Sequence, residues 1–116
     1  MLKPKEIQKP SADRVFTIEA PLKEGQQLTL RYVPDREMVE CENFQTWITT
    51  YINENSLTIE ELATQVGCKF YDNVLPHYMD LSISYARNDG LTGKAYFVHH
   101  QPEYRLPEIL YAIFNR

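Results

Sequence analysis

The spacing of apolar residues changes twice along this chain, from every second residue to every third or fourth and then back again. Residues 14–19 and 28–33 alternate apolar and polar side chains, which predicts two β-strands joined as a hairpin. Residues 40–53 then carry Phe, Trp, Tyr and Ile at helical spacing, which predicts an amphipathic helix. Separate blocks of these two periods are typical of an α+β domain.

A second helix and a second hairpin follow. Thr58 and Glu61 match a capping box at the start of this helix, and we expect the helix to end at residues 67–69, where a glycine lies. Alternation returns over residues 79–85 and continues beyond a turn at residues 88–90. The Asn-Asp-Gly sequence of that turn predicts the positive φ angles of a tight hairpin.

The predicted fold is therefore a four-stranded antiparallel sheet with two helices on one face, in the order ββααββ, and a C-terminal helix that opens at Pro107. We expect residues 1–12 to form a flexible arm, residues 13–100 the domain, and residues 101–116 a helical tail. One copy leaves the second face of the sheet and both sheet edges without partners. We therefore expect a homo-oligomer.

Composition restricts the classes of function. The chain has 116 residues, of which 43% are hydrophobic, enough to build one core without a metal or a disulfide. A net charge of -4 argues against a nucleic-acid partner, because phosphate binding requires clustered Lys and Arg. No stretch resembles a signal peptide or a membrane span, so we expect no membrane association and a cytoplasmic protein.

The metal-binding residue types are sparse. Cys41 and Cys68 are too few and too far apart for a disulfide framework or a metal knuckle, so we expect packed, free thiols. His99 and His100 lie close to Glu103, but adjacent residues of a strand point to opposite faces of the sheet. We therefore predict no metal site.

Several short stretches resemble the cyano-deazaguanine (preQ0) reductase family. Residues 32–35 read Tyr-Val-Pro-Asp and residues 39–44 read Val-Glu-Cys-Glu-Asn-Phe, where the family has Tyr-x-Pro-Asp and then Glu-Ser-Lys-Ser-Phe-Lys. Residues 76–79 and 85–91 are similar to its Pro-Arg-x-x-x-Val strand and Arg-Gly-Gly-Ile turn. The resemblance covers about residues 15–97. It implies the tunnelling fold, whose members join sheets of several subunits and bind purine- or pterin-like rings at subunit interfaces through a carboxylate.

The resemblance also implies that the reductase chemistry is missing. The family's nucleophilic cysteine and its proton-donating aspartate fall on Thr17 and Glu24, and a threonine hydroxyl is a much poorer nucleophile than a thiol. The two family lysines thought to meet the NADPH phosphate are Glu42 and Gln45 here. We therefore expect no catalytic residues and no NADPH cofactor.

The carboxylates of the family persist. Glu60, with Glu61 beside it, falls where the family's glutamate holds the ring, and Glu40 matches the first glutamate of the helix motif. Glu60 and Glu40 are therefore the expected ligand-binding residues, although acids at helix starts also have a structural role. A purine, deazapurine or pterin is the expected small-molecule partner. Three functions remain open: a binder of a purine- or deazapurine-like ligand or a non-catalytic homologue, an active enzyme of queuosine or pterin metabolism (preQ0 reductase-like or GTP cyclohydrolase-like), and a structural oligomer without a ligand.

Overall fold

The computed structural model describes residues 1–8 and 13–115. In chain order, the elements are β1 (Lys5–Glu6), β2 (Phe16–Pro21), β3 (Gln26–Val33), β4 (Glu37–Met38), α1 (Cys41–Glu54), α2 (Ile59–Val74), β5 (Tyr78–Ala86), β6 (Thr92–His100) and α3 (Glu108–Phe114). The main sheet is antiparallel with the strand order β2-β3-β5-β6. The predicted α+β class, four-stranded sheet and C-terminal helix are confirmed.

The register of the sheet separates an apolar face from a polar face. One row of neighbouring residues lies on the face that packs against α1 and α2: Ile18, Leu30, Leu81 and Phe97. The next row lies on the opposite face: Thr17, Arg31, Asp80 and Val98. Phe44 and Phe70 from the two helices complete the main core and are fully buried. We call the opposite side of the sheet, which includes the row of Thr17, the polar face.

Buried Tyr32 anchors the start of α1. Its hydroxyl accepts a hydrogen bond of 3.1 Å from the Val39 N–H, directly before the helix. Its ring contacts Phe16 and Phe70 edge-on, with centroid distances of 5.7 and 4.9 Å. Burial raises the pKa of Tyr32 to about 12, because the phenolate would lose its hydration in the core. Strand β3 thus positions the segment that leads into α1.

Helix α2 starts as predicted but ends later. The Thr58 hydroxyl accepts a hydrogen bond from the Glu61 N–H at 3.2 Å, and the Glu61 carboxylate accepts one from the Thr58 N–H at 3.0 Å, which confirms the capping box. The predicted end at residues 67–69 is wrong, since the helix continues to Val74. Gly67 lies inside the helix, where a Cβ would come within 2.3 Å of the Phe97 ring. This glycine permits close packing of α2 on β6.

The turn of the second hairpin differs from its prediction. Of residues 88–90, only Gly90 has a positive φ, of 89°. The turn is closed by a hydrogen bond of 2.8 Å from the Arg87 N–H to the Leu91 carbonyl. The Asp89 carboxylate accepts the Leu91 N–H at 3.1 Å and pairs with Arg87 at 2.7 Å. The Asp89 carboxylate therefore stabilises the turn, and Gly90 alone of residues 88–90 takes a positive φ.

The N-terminal segment, expected to be a flexible arm, contacts the helices over its described part, residues 1–8. Leu2 is 5% exposed and joins the main core, and the Lys3 N–H donates to the Asn43 side chain at 2.8 Å. Strand β1 pairs with β4. The burial of Leu2 favours this docking, but the sequence did not predict it, because one leucine produces no periodic pattern. The rest of the predicted arm, residues 9–12, lies outside the described part.

Helix α3 covers one end of the polar face. Leu110 and Phe114 pack with Val33 in a second, smaller cluster, and the Tyr78 ring contacts Phe114 at 4.8 Å. The sheet face that we expected to be open is thus partly covered by the chain itself. Within residues 1–8 and 13–115, no helix is long and apolar enough to cross a membrane.

Candidate functional site

Glu60 is an exposed carboxylate in the first turn of α2. Among the described residues, no hydrogen bond or ion pair engages its side chain. Its neighbour Glu61 is instead held by Thr58, whose backbone N–H and hydroxyl form the capping box. These hydrogen bonds lower the pKa of Glu61, because they stabilise the ionised carboxylate. The two acids therefore differ: Glu61 stabilises the helix start, whereas the exposed Glu60 side chain makes no such contact.

Glu40, the second predicted ligand residue, is already paired. Its carboxylate lies 2.9 Å from the ammonium group of Lys5, and both side chains are more than half exposed. Ion pairs as exposed as this one contribute about 0–1 kcal/mol to stability. The pair links β1 to the start of α1, so Glu40 already has a structural contact.

The two predicted ligand residues lie at opposite ends of the helix pair. Helix α1 has 14 residues, which corresponds to a length of about 20 Å, and it separates Glu40 from the loop that leads to Glu60. The Tyr51 hydroxyl donates a hydrogen bond to Gln65, so the end of α1 lies beside the first half of α2. A single purine-sized ring therefore cannot contact both carboxylates within one subunit.

A polar cleft lies at the Glu60 end of the helix pair. It has a volume of about 290 Å³ and lies between the β2–β3 turn and the α1–α2 connection, with these lining residues: Lys23, Ile52, Asn53, Glu54, Asn55 and Ser56. Glu24 is adjacent to Lys23 in the turn, and Glu60 lies four residues after Ser56 in the first turn of α2, but neither carboxylate lines the cleft. Lys23 was not among the predicted site residues, because only the folded turn places it beside the α1–α2 connection.

A second cavity, of about 430 Å³, lies at the other end of α2 and is far from Glu60. Part of its polar lining is paired: the Gln101 amide donates to the Asp35 carboxylate at 3.1 Å and to the Leu75 carbonyl at 2.9 Å, whereas the charged side chains of Arg36 and Glu37 also line the cavity. His77 lies 3.5 Å from the Asp35 carboxylate. These contacts join three loops. The smaller cleft is the candidate site for Glu60 because it lies at the end of the helix pair where α2 begins.

Thr17 and Glu24 occupy exposed positions. Thr17 lies on the polar face, in register with Arg31, and the next residue of the row is Asp80. A hydroxyl becomes a nucleophile when a free base accepts its proton, but the Asp80 carboxylate is paired with Arg31 at 3.2 Å. Asp80 is therefore not a free base for the Thr17 hydroxyl, whereas Glu19, two residues along β2, is an exposed carboxylate on the same face.

The two positions of α1 that match the family's NADPH lysines carry no positive charge. Glu42 is exposed and negative, and the Gln45 amide donates a hydrogen bond of 3.1 Å to Thr49. The nearby cation of Lys5 is paired with Glu40. These side chains offer no unpaired positive charge, whereas phosphate sites normally use Lys or Arg.

Both cysteines are free, but Cys41 and Cys68 are exposed, so the prediction of packed thiols is wrong. Each lies on a solvent-facing position of its helix. The rings of His99 and His100 lie on opposite faces of β6. The His99 ring contacts the Tyr71 ring with a centroid distance of 4.2 Å, and the His100 ring stacks on the Tyr78 ring with a centroid distance of 6.3 Å. Over the described ranges, no group of three or more His, Cys, Asp or Glu side chains is arranged to hold a metal ion.

An ion pair on the polar face was missed by the sequence analysis. Arg31 and Asp80 are 18% and 15% exposed, and they are 49 positions apart in the chain. Desolvation raises the pKa of Asp80, and the positive charge of Arg31 offsets only part of this effect. Arg31 was visible as a polar residue of an alternating strand. Its partner could be assigned only from the strand register.

The sequence model of the QueF-like protein family matches residues 26–104, which is more than half of the chain. Glu40 and Glu60 lie inside this stretch, whereas Thr17 and Glu24 precede it. No curated protein sequence matches the chain significantly. Among solved structures, the apo crystal structure of the archaeosine synthase QueF-Like is similar, with a TM-score of 0.57 and 17% identity over 78% of this chain and 95% of that chain. This likeness supports the tunnelling fold, and the family match shows that the chain belongs to the QueF-like protein family.

Proposed function

We propose that this chain is a non-catalytic QueF-like protein that binds a purine- or deazapurine-like ring through the carboxylate of Glu60, at an interface between copies of the chain. The observation that carries the proposal is the unpaired Glu60 carboxylate in the first turn of α2, the helix that follows the connection lining the polar cleft. Glu61, one residue further, is used by the helix itself.

A carboxylate suits such a ring because its two oxygens accept hydrogen bonds from a ring N–H and an amino group together. Hydrogen bonds to charged groups contribute about 1.5–3 kcal/mol each once water is excluded. Lys23, Asn53 and Ser56 line the cleft and supply ammonium, amide and hydroxyl groups for the polar edges of the ring. The volume of about 290 Å³ is at the lower end of the usual range for small-molecule sites.

The exposure of Glu60 supports a site between subunits. In one copy the carboxylate faces water, where a hydrogen bond to a ligand gains little over one to solvent. A second copy that covers this end of the molecule would exclude water and strengthen the contact. The outer edges of β2 and β6 pair with no other strand of the described chain, so each could join a neighbouring sheet. Light scattering tests this assembly, and a mass of 13.6 kDa at micromolar concentration would contradict it.

The absence of reductase activity is the second part of the proposal. Thr17 is a much poorer nucleophile than a thiol, the Asp80 carboxylate of its row is paired with Arg31, and Glu42 and Gln45 offer no positive charge for the NADPH phosphate. We expect intact-mass spectrometry to show an unmodified chain after incubation with cyano-deazaguanine, and no oxidation of NADPH. A covalent adduct on Cys41 or Cys68 would show that a different residue acts as the nucleophile.

Calorimetric titration with guanine, cyano-deazaguanine and a pterin tests the binding site. Glu60→Gln replaces one acceptor oxygen by a donor that faces the ring N–H, so we expect affinity to fall by about tenfold or more, or about 1.4 kcal/mol. Glu61→Gln is the matched control, because it changes the neighbouring acid of the same helix turn and should leave affinity unchanged. If the wild type binds none of the three compounds, the proposal is wrong. Equal binding by wild type and Glu60→Gln would exclude Glu60 as the anchor.

A further inference from the structure

The docking of α3 on the polar face depends on a small contact. Leu110 and Phe114 are its buried residues, and they pack on Val33 in a cluster separate from the main core. Ile109, in the same helix, is 76% exposed. A helix of seven residues is too short to be stable in water by itself. Helix α3 therefore keeps its structure only while it is docked.

One polar residue of the sheet holds the end of α3. The guanidinium of Arg31 donates a hydrogen bond of 2.7 Å to the carbonyl of Ile113, and it lies 5.9 Å from the centre of the Phe114 ring. The same guanidinium pairs with Asp80 at 3.2 Å. A charged donor bound to a helix carbonyl is stronger than a neutral one. Arg31 thus connects the last turn of α3 to the middle of the polar face.

The chain before α3 is fixed at a defined point. The Gln101 N–H donates to the His77 carbonyl at 2.9 Å, and the Tyr104 N–H donates to the Gln101 carbonyl at 3.2 Å. The ring of Tyr104 stacks on His77 with a centroid distance of 4.8 Å and an interplanar angle of 10°. Residues 105–107 follow this anchor and precede the helix. Leu106 of this segment packs against the second cluster, so undocking of α3 also releases Leu106.

We infer that α3 is a hinged cover on the polar face of the sheet, latched by Arg31, which opens about residues 105–107 while the sheet and the two long helices stay folded. Opening exposes the polar pair of Arg31 and Asp80 together with the apolar side chains of the second cluster. The apolar surface that opening exposes is confined to the small cluster around Val33, whereas the main core lies on the other side of the sheet. Segments with few buried apolar contacts are those that open locally in native proteins.

Opening changes which groups of the polar face reach solvent. The pair of Arg31 and Asp80, now less than one fifth exposed, becomes accessible beside Thr17 in the same register row. In the closed state, the Arg31 guanidinium donates a hydrogen bond to the Ile113 carbonyl. After opening, an acceptor oxygen of a bound molecule would take the place of this carbonyl. The cover thus controls access to Arg31. This inference does not depend on Glu60, which lies in the helix layer on the opposite side of the sheet.

Hydrogen-exchange mass spectrometry of the full chain tests the cover. We expect peptides from residues 105–115 to exchange at least tenfold faster than peptides from α2, at denaturant concentrations too low to affect global unfolding. Arg31→Lys keeps the charge but cannot reach both Asp80 and Ile113. Exchange in α3 should rise by about a further tenfold, the loss expected for one charge-assisted hydrogen bond. Arg36→Lys is the matched control, since Arg36 is exposed, lies outside residues 105–115 and should leave exchange in α3 unchanged.

Two results would overturn the inference. In the first, α3 of the wild type exchanges as slowly as α2, which means that it opens only by global unfolding. In the second, Arg31→Lys accelerates α2 and α3 equally, which makes Arg31 a part of global stability. If Arg31→Lys does not fold, Leu110→Ala provides the same comparison, because it removes an apolar contact of α3 and should accelerate exchange in that helix alone.

Discussion

Replacement of Tyr32 by Phe removes a single oxygen from the centre of the fold. The Tyr32 side chain is fully buried, and its hydroxyl accepts the Val39 N–H at 3.1 Å. The phenyl ring keeps its contacts with Phe16 and Phe70, so the substitution isolates the hydrogen bond. A buried backbone donor left without a partner costs about 1–3 kcal/mol. For a domain of this size, that is a fall in melting temperature of roughly 4 °C or more.

The pKa of Tyr32 adds a second, pH-dependent signature. Folding raises this pKa from 10.0 to about 12, so the folded chain keeps the proton over a pH range in which the unfolded chain releases it. The associated stability is complete below pH 10 and is lost as the pH rises towards 12, by about 1.4 kcal/mol for each pH unit. The difference in free energy of unfolding between wild type and Tyr32→Phe should therefore shrink between pH 10 and pH 12.

Urea unfolding at several pH values between 7 and 12 measures both effects. Tyr85→Phe is the control, because the Tyr85 hydroxyl has no hydrogen bond within the described chain, and it should change the free energy of unfolding by much less than Tyr32→Phe. An equal free energy of unfolding for wild type and Tyr32→Phe at pH 7 would refute the role of Tyr32 as the anchor of α1. A pH-independent difference between them would refute the raised pKa.

Two further predictions concern α2. Glu61→Gln should remove part of the acid sensitivity of folding: the ionised Glu61 stabilises the capping box above its ordinary pKa of 4.5, and this contribution is lost as the pH falls through its lowered pKa. The melting temperature is measured as a function of pH. On acidification, it should fall less for Glu61→Gln than for wild type. Gly67→Ala should destabilise the fold by about 1–3 kcal/mol, although alanine is the better helix former, because its Cβ would meet the Phe97 ring at 2.3 Å. Urea unfolding measures the change, and a more stable Gly67→Ala protein would show that Phe97 moves aside freely.

The sequence alone determined the parts of this protein that depend on neighbours along the chain. Alternation and helical spacing predicted the sheet, the two long helices and the C-terminal helix, because each element shows its buried side at a fixed period. The capping box of Thr58 and Glu61 was predictable for the same reason, since both of its hydrogen bonds are formed within one turn. Because the capping box uses the Glu61 carboxylate, Glu60 is the better candidate for a ligand-binding residue.

The tertiary structure decided the features that depend on residues far apart in the chain. Helix α2 continues past Gly67, where the absence of a side chain lets the helix pack on the Phe97 ring, thirty positions later. No local rule reveals such a neighbour. The pairing of Arg31 with Asp80 follows from the register of β3 and β5. The length of α1 places Glu40 and Glu60 at opposite ends of the helix pair, although both matched the family motif. A pattern in sequence states which side of an element is buried, whereas packing determines what lies against it and how far apart two matched residues are.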